Sequence, residues 1–335
     1  MRRILILVLA TVLGIVGLAL AGCSQSAAAS NAPVVNVRVG YNKTWSNIGF
    51  VVGIDKGMFD NIPGIKVSWM EFNDTVKEVE GMQAGDLDVG AVASPNLLTA
   101  VAKGIKIKGV ALLSGATIPP VTYFVRKDSG INKVADLKGK KIAVTQYGGN
   151  FDLYLRWILA QNGLDPDKDV EILVMPGPAA LNALVAGQID STSLGGYGAI
   201  LTQEKYGDRL KGLFTFNDVD PAIAKGFNSL ILSMSDDFVK KNRDAAKAFL
   251  KAYVQAVRFS NSNVQQAKES WAKISRNNAV LKMTALPYVP DDAKLDIDAL
   301  GFDIKVLKRF GYLKKDLNPM DTIDYSVLDE VLAGK

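Results

Sequence analysis

Four short turns hold most of the side chains in this sequence suited to recognising another molecule: residues 41–47 (YNKTWSN), 93–96 (ASPN), 146–151 (QYGGNF) and 195–197 (GGY). Each sets glycine, hydroxyl, amide or aromatic groups just ahead of a helical pattern. A helix start carries unpaired N–H groups and about half a positive charge, so such turns hold anions without any arginine. Aromatic faces beside them suit the apolar part of a small solute. What they offer is reversible capture rather than bond making. The chain contains no histidine and one cysteine, which removes the commonest general base and the commonest metal ligand. A hydrolytic triad and a histidine-ligated zinc site are excluded on inventory, and no metal or cofactor is expected.

A second pattern concerns two aspartates. Residues 84–88 read AGDLD and residues 186–190 read AGQID, each followed by a short apolar run and then a small-residue turn. A duplicated acidic site is one reading. Turn chemistry supplies the other: Gly85 and Gly187 suit left-handed helix ends, Leu87 and Ile189 suit burial, and Asp88 and Asp190 suit acceptance of backbone N–H groups. The aspartates are taken as structural. Interest then moves to where their strands end, Ser94-Pro95 and Gly195-Gly196-Tyr197, because open α/β sheets bind ligands beyond the carboxyl ends of their strands.

The elements that must position these turns follow from periodicity. Strand-like alternation or short apolar runs cover 34–41, 66–72 and 87–94, with helical spacing at 47–60 and 74–86 and a helix opened by Pro95. After Arg126 the plan repeats: strands at 140–146, 170–176 and 189–194 alternate with helices at 151–163, 179–188 and 197–206. One more strand, NSLILSMS, leads into helices at 243–261, 264–274, 292–310 and near 325–332. Two α/β units of one plan, each with a parallel or mixed sheet, are expected, and a helical tail that packs back on the first.

The 335 residues suit about two domains. The first 22 form a separate address: Arg2 and Arg3, an apolar run over 4–20, then Leu20-Ala21-Gly22-Cys23. That order resembles a bacterial lipobox, which implies cleavage before Cys23 and a lipid on its sulfur; an uncleaved membrane anchor is the other reading. Residues 24–33, SQSAAASNAP, suit a flexible tether. Removing Arg2 and Arg3 lowers the formal charge from +5 to +3. With no basic stripe interleaved with aromatics, nucleic acid is not an expected partner.

The lipobox, a first strand ending VGYN, a helix ending DKGMF, the AG-x-[IL]-D pair, DLKGKKIAV at 136–144, the glycine turn after it and LKRFGYLKK at 307–315 resemble the solute-binding proteins of bacterial ABC importers. The likeness covers almost all of the mature chain and is narrowest to the nitrate/sulfonate/taurine group, which shares its fold with thiamine-pyrimidine-binding proteins. It implies a two-lobed α/β fold of the type II periplasmic-binding-protein kind, with two crossover strands near 121–125 and 228–233. Lobe one would be 34–125 plus 228–335, lobe two 126–227, with 1–22 a signal peptide and 23–33 a lipidated tether. It further implies a monomer at the cell envelope, held by Cys23 and facing the periplasm or exterior, that hands solute to a permease and an ATPase. No Walker A loop is present, so ATP is spent by those partners. A thiamine-pyrimidine synthase of similar fold would need a histidine and a cysteine-rich motif, and a LysR-type regulator would carry a helix-turn-helix where this chain has an export signal.

In that cleft the expected ligand-binding residues are Tyr41, Asn42, Trp45, Ser46, Ser94, Gln146, Tyr147, Gly149, Asn150 and Tyr197. Ser46 or Asn47 is placed to cap the first helix and Asn150 the helix after the glycine turn. Where the family carries a ligand-contacting serine or threonine turn this chain has QYGGN, which makes Gln146 and Asn150 the candidate donors. Tyr41, Trp45, Tyr147, Phe151 and Tyr197 either form an aromatic wall or pack in the lobes. Lys43 either pairs with an acidic solute or faces water. A small organic anion (sulfonate, taurine-like or carboxylate) is the first expectation, and a neutral heterocycle such as a thiamine pyrimidine or riboflavin the alternative.

Overall fold

In the computed structural model, residues 33–41, 47–72, 74–116 and 120–334 are described, with Tyr197 described in its backbone only. The signal segment, Cys23, nearly all of the tether and Asn42, Lys43, Trp45 and Ser46 lie outside the described residues.

Strands β1 (Val35–Tyr41), β2 (Ile65–Glu71), β3 (Val89–Ala93) and β4 (Ile107–Ser114) lie in one sheet, with helices α1 (Ile48–Asp55), α2 (Thr75–Ala84) and α3 (Ser94–Ala102) in the connections. The chain then enters a second sheet of β5 (Thr122–Arg126), β6 (Lys141–Val144), β7 (Glu171–Val174), β8 (Ser191–Leu194) and β9 (Leu210–Thr215). Its helices are α4 (Asn150–Gln161), α5 (Gly177–Val185) and α6 (Tyr197–Tyr206), and a short α7 (Pro221–Lys225) follows. Strand β10 (Leu230–Ser235) returns to the first sheet, and the chain ends in α8 (Asp236–Lys241), α9 (Arg243–Ser262), α10 (Val264–Ser275), α11 (Ile297–Arg309) and α12 (Ser326–Leu332).

The two sheets have one topology. Sheet one runs β2-β1-β3-β10-β4 and sheet two β7-β6-β8-β5-β9. In each, the strand pairs β1–β2 and β6–β7 are parallel, while β10 and β5 run antiparallel to both of their neighbours. Each sheet's antiparallel member is therefore the strand on which the chain arrives from the other sheet. The mixed sheets agree with the expectation from alternating periodicity. Strands β4 and β9, which had no assignment from the pattern, complete the edges.

The AG-x-[IL]-D echo occupies equivalent places. Gly85 and Gly187 take positive φ, 80° and 75°, which glycine adopts without a Cβ penalty. Asp88 Oδ2 accepts the Arg38 N–H at 2.9 Å, and Asp190 Oδ2 accepts the Lys141 N–H at 2.9 Å. In both cases the aspartate's own N–H donates back to the same residue's carbonyl. Each aspartate thus staples the start of its strand to the neighbouring parallel strand. Asp88 also takes Nε and Nη2 of Arg38 at 2.9 and 2.7 Å, a charge-assisted pair that Asp190 lacks.

The tail packs largely on sheet one. Phe50 of α1 meets Phe249 and Tyr253 of α9, and the Tyr253 hydroxyl donates to the Leu112 carbonyl in β4 at 2.5 Å. Helix α11 differs, because it also reaches α4: Phe302 lies against Trp157 with centroids 5.0 Å apart. The pattern had this helix begin near 292. It begins at Ile297 because Asp296 caps it, accepting the Ala299 N–H at 2.9 Å. Among the described residues, no helix is long and apolar enough to cross a membrane.

Candidate functional site

Strand register brings the two echo strands to the places where the chain crosses. Ala93, the last residue of β3, pairs with Leu230, the first of β10; Leu194, the last of β8, pairs with Thr122, the first of β5. The carboxyl ends of β3 and β8 therefore lie beside the two crossings, and α3 and α6 start there. Helix α4 starts there as well: Asn150 Nδ2 donates to the Ser229 carbonyl of the return crossing at 3.3 Å, and the Tyr123 hydroxyl of β5 donates to the Phe151 carbonyl at 2.5 Å.

The polar groups gathered at this junction are buried. Ser94 is the first residue of α3 and has no exposure; its hydroxyl donates to Oδ2 of Asp303 on α11. Oδ1 of the same carboxylate accepts the hydroxyl of Tyr154 on α4 at 2.6 Å. One buried carboxylate thus joins a helix of sheet one to a helix of sheet two. Burial pushes the Asp303 carboxyl up to about 7, against the hydrogen bonds from Ser94 and Tyr154, which act to lower it. Tyr154 is driven up by its own burial and by Asp303 beside it. Asn150, one turn before Tyr154, is 8% exposed, and its Oδ1 has no hydrogen-bond donor; the Ser114 hydroxyl, at the end of β4, is likewise buried without a partner. Ser229 N–H donates to the Ser114 carbonyl at 2.9 Å, which brings both crossings into the same cluster.

The glycine turn is locked from the tail. Gly148 has φ 71°, and a Cβ there would stand 3.0 Å from the Tyr312 ring. Gly148 N–H donates to Asp152 Oδ2 at 2.8 Å, Tyr312 donates to the same oxygen at 3.1 Å, and Arg156 Nε holds Oδ1 at 2.8 Å. Gly196 adopts φ 52°, ψ −128°, a region in which only glycine is at ease.

Of the residues picked from the sequence, Ser94 and Asn150 meet in this cluster. Gln146 folds over Gly149, its Cγ 2.8 Å from where a Cβ would be. Tyr147 turns outward, 55% exposed, with its hydroxyl on the Ile172 carbonyl at 2.8 Å. Tyr41 sits edge-on against Trp69 at 5.4 Å, and Phe151 lies tilted against Phe216 at 5.6 Å. The side chain of Tyr197 and all of Asn42, Trp45 and Ser46 lie outside the described residues. The capping expectation for Asn150 needs correction: Gly149 is the N-cap, no side chain caps α4, and Asn150 is already helical, so its amide is turned to Ser229 instead. Asn47 likewise caps α1 only through its backbone.

Asp303 and Tyr154 were not anticipated. The signal was present: in IDALGFDIKVLKR, Asp303 falls three after Leu300 and four before Leu307, a carboxylate on the apolar stripe of its helix. Two open surface cavities, about 560 and 530 Å³, lie elsewhere. The first is lined by Lys108, Asp236 and Arg243 among others and the second by Ser260, Leu286 and Tyr288 among others, with none of the residues picked from the sequence.

Two mixed sheets of one topology, each with one antiparallel strand on which the chain arrives from the other, with helix starts gathered at the crossings, define a two-lobed periplasmic-binding-protein fold. The chain belongs to the NMT1/THI5-like family, whose profile matches residues 45–267. Solved structures of similar fold include the periplasmic nitrate-binding protein NrtA from Synechocystis PCC 6803 (TM-score 0.71, 16% identity, covering 91% of this chain and 90% of that one). Another is the periplasmic aliphatic sulphonate binding protein SsuA from Escherichia coli (TM-score 0.68, 21% identity, covering 86% and 92%). A protein of Bacillus subtilis (strain 168), named as a candidate aliphatic sulfonates-binding protein, is 28% identical over 259 residues, which is 76% of this chain and 74% of that protein. These relatives are named as binding proteins, not enzymes.

Proposed function

We propose that this chain is the solute-binding receptor of an ABC importer and that it captures a small organic anion at the junction of its two sheets. The observation that carries this reading is the meeting of α3, α4 and α6 starts at the ends of β3, β6 and β8, beside both crossings. Three helix starts aimed into one region are a ready anion site. Sulfonate and nitrate, the ligands named for its relatives, are both anions and support the charge of that solute. Lobe one is then 34–121 plus 228–335 and lobe two 122–227, the expected boundary at 125 moving back because Thr122–Arg126 is a strand of the second sheet, and hinge motion about the crossings opens and closes the junction. Ser94 and Asn150 are buried in the present arrangement, so solute reaches them as the lobes part. Cys23 carries the lipid that keeps the receptor, a monomer, at the cell envelope, facing the periplasm or exterior, where it serves its permease and ATPase.

A neutral heterocycle such as a thiamine pyrimidine or riboflavin is the second reading. What favours it is the acceptor-rich cluster: the Asp303 carboxylate and the donor-less Oδ1 of Asn150 suit a ligand that brings its own N–H groups. A thermal-shift screen against sulfonates, nitrate, aromatic acids, pyrimidines and flavins tests both. A ligand at a hundred times its Kd adds about 2.7 kcal/mol of stability, and no shift with any of them would refute the receptor reading. Asn150→Ala should weaken the active ligand at least about tenfold, the equivalent of about 1.4 kcal/mol, with the protein still folded by circular dichroism. Unchanged affinity would place the site elsewhere.

A further inference from the structure

Asp303 is a buried carboxylate that the organic-anion reading gives no role. It lies against the first residue of α3 and the second turn of α4, the two helix starts that would hold the solute. The groups facing it do not neutralise it. Helix α3 carries no charged residue. On α4, Asp152 and Arg156 are engaged with each other and with Gly148, Tyr312 and Asp167. Beside α7, Asp220 caps the helix and bears on Tyr154, and Lys225 is exposed. Asp321, on the turn Pro319–Thr322, is exposed, and on α11 itself Lys305 and Arg309 lie over the Trp157 ring, each 4.9 Å from its centre.

An ionised Asp303 and an anionic solute would repel each other across a poorly screened junction. At an effective dielectric constant of about 20, two unit charges about 6 Å apart lose roughly a hundredfold in affinity. We propose that Asp303 is the charge selector of the solute site, so that an anionic solute is captured only together with a proton on this carboxyl. The proton comes from solvent and settles on a carboxyl oxygen; no other covalent bond changes. The protonated group keeps its place, because its O–H donates to the oxygen of Ser94 or Tyr154 where the ionised form accepted. Burial already holds this carboxyl at about 7, so the proton is available near neutrality. The inference rests on the receptor reading above and adds a charge rule to it.

Titration calorimetry at pH 6, 7, 8 and 8.5 tests it, with methanesulfonate, benzenesulfonate and nitrate as probes that stay ionised throughout and cytosine as a neutral one. The Kd for an anion should be flat below about pH 7 and then weaken toward tenfold per pH unit, the limit for one coupled proton. Runs in buffers of different ionisation heat should show about one proton taken up at pH 8 and none at pH 6. Asp303→Asn should bind the anion with a flat profile and no proton uptake. Tyr154→Phe, which deprives the carboxylate of a donor, should move the midpoint of the profile upward and keeps the test open should the asparagine variant not fold. A flat profile in the unaltered protein, a slope that survives Asp303→Asn, or an unmoved midpoint in Tyr154→Phe overturns the proposal. Binding of cytosine alone overturns it and leaves the receptor reading standing. No binding of any probe removes both.

Discussion

Replacing Glu78 by glutamine should stabilise this protein at neutral pH, and the gain should grow as pH rises. Glu78 lies in the first turn of α2, and its side chain reaches sheet one, where Oε2 accepts the Ala91 N–H at 2.5 Å. Glycines make the room: a Cβ at Gly40 would stand 2.9 Å from Oε2, and one at Gly90 would stand 3.4 Å from it. The residue is 1% exposed and Oε1 is buried without a hydrogen-bond partner. Burial pushes its carboxyl from the ordinary 4.5 up to about 8, with the Ala91 bond opposing and Asp74 adding to the rise. The native state therefore keeps a proton that the unfolded chain releases above about pH 4.5, so stability falls as pH climbs from there to about 8 and then levels. At about 1.4 kcal/mol per pH unit the whole window is worth about 5 kcal/mol.

Glutamine keeps the acceptor for Ala91, fills the same space and has no proton to lose. Urea unfolding of the unaltered protein and Glu78→Gln at pH 5, 6, 7 and 8 isolates the effect, because every other titrating group, Asp303 included, cancels in the difference. The difference should widen by about 1.4 kcal/mol per unit and reach about 4 kcal/mol across that range. A difference constant to within about 0.5 kcal/mol from pH 5 to pH 8 would refute the reasoning and mean that the carboxyl is ionised where it lies.

The echo aspartates should be separable in strength and alike in function. Asp88→Ala, which strands an arginine and a strand N–H, should cost about 2–3 kcal/mol, and Asp190→Ala about 1 kcal/mol, both by urea unfolding, with solute affinity unchanged in each; a loss of affinity in either would return the acidic pair to the site. Gly196→Ala should cost about 1–3 kcal/mol, because φ 52° with ψ −128° strains any side chain. A thermal midpoint equal to that of the unaltered protein would show that the turn before α6 relaxes freely.

Much of the fold was legible because its signals are local. Periodicity of two and of about 3.6 marked the strands and helices around both copies of the echo, and Gly85 and Gly187 marked helix ends that the backbone confirms. Where reading stopped at the edges, the reason is physical: Leu210–Thr215 carries a glycine and a lysine and shows no clean alternation, so its identity as a strand comes from pairing with β5. Of the candidate site, the strand ends that meet the crossings were legible and the side-chain partners less so. Asn150 had every mark of a cap, but Gly149 takes the capping conformation and leaves the amide to Ser229. Tyr147 stands in the turn before α4 with its hydroxyl on a carbonyl in β7, an orientation the turn alone did not specify. Neither outcome is encoded within a few residues: Tyr147 depends on the neighbouring strand β7 and Asn150 on the return crossing.

That dependence is strongest for the tail. Helix α11 reads as one more amphipathic brace for lobe one, yet one buried carboxylate on it is bonded to a helix of each half, Phe302 packs on α4, and Tyr312, just beyond it, closes over Gly148. Burying a charge without a cation is costly unless the group is protonated or richly hydrogen bonded, so Asp303 is an expensive choice for a merely structural contact. Asparagine would join Ser94 to Tyr154 without that cost. What a carboxyl adds is a charge that can be switched off, at the place where two sheets of the same design meet and where a charged solute would have to enter.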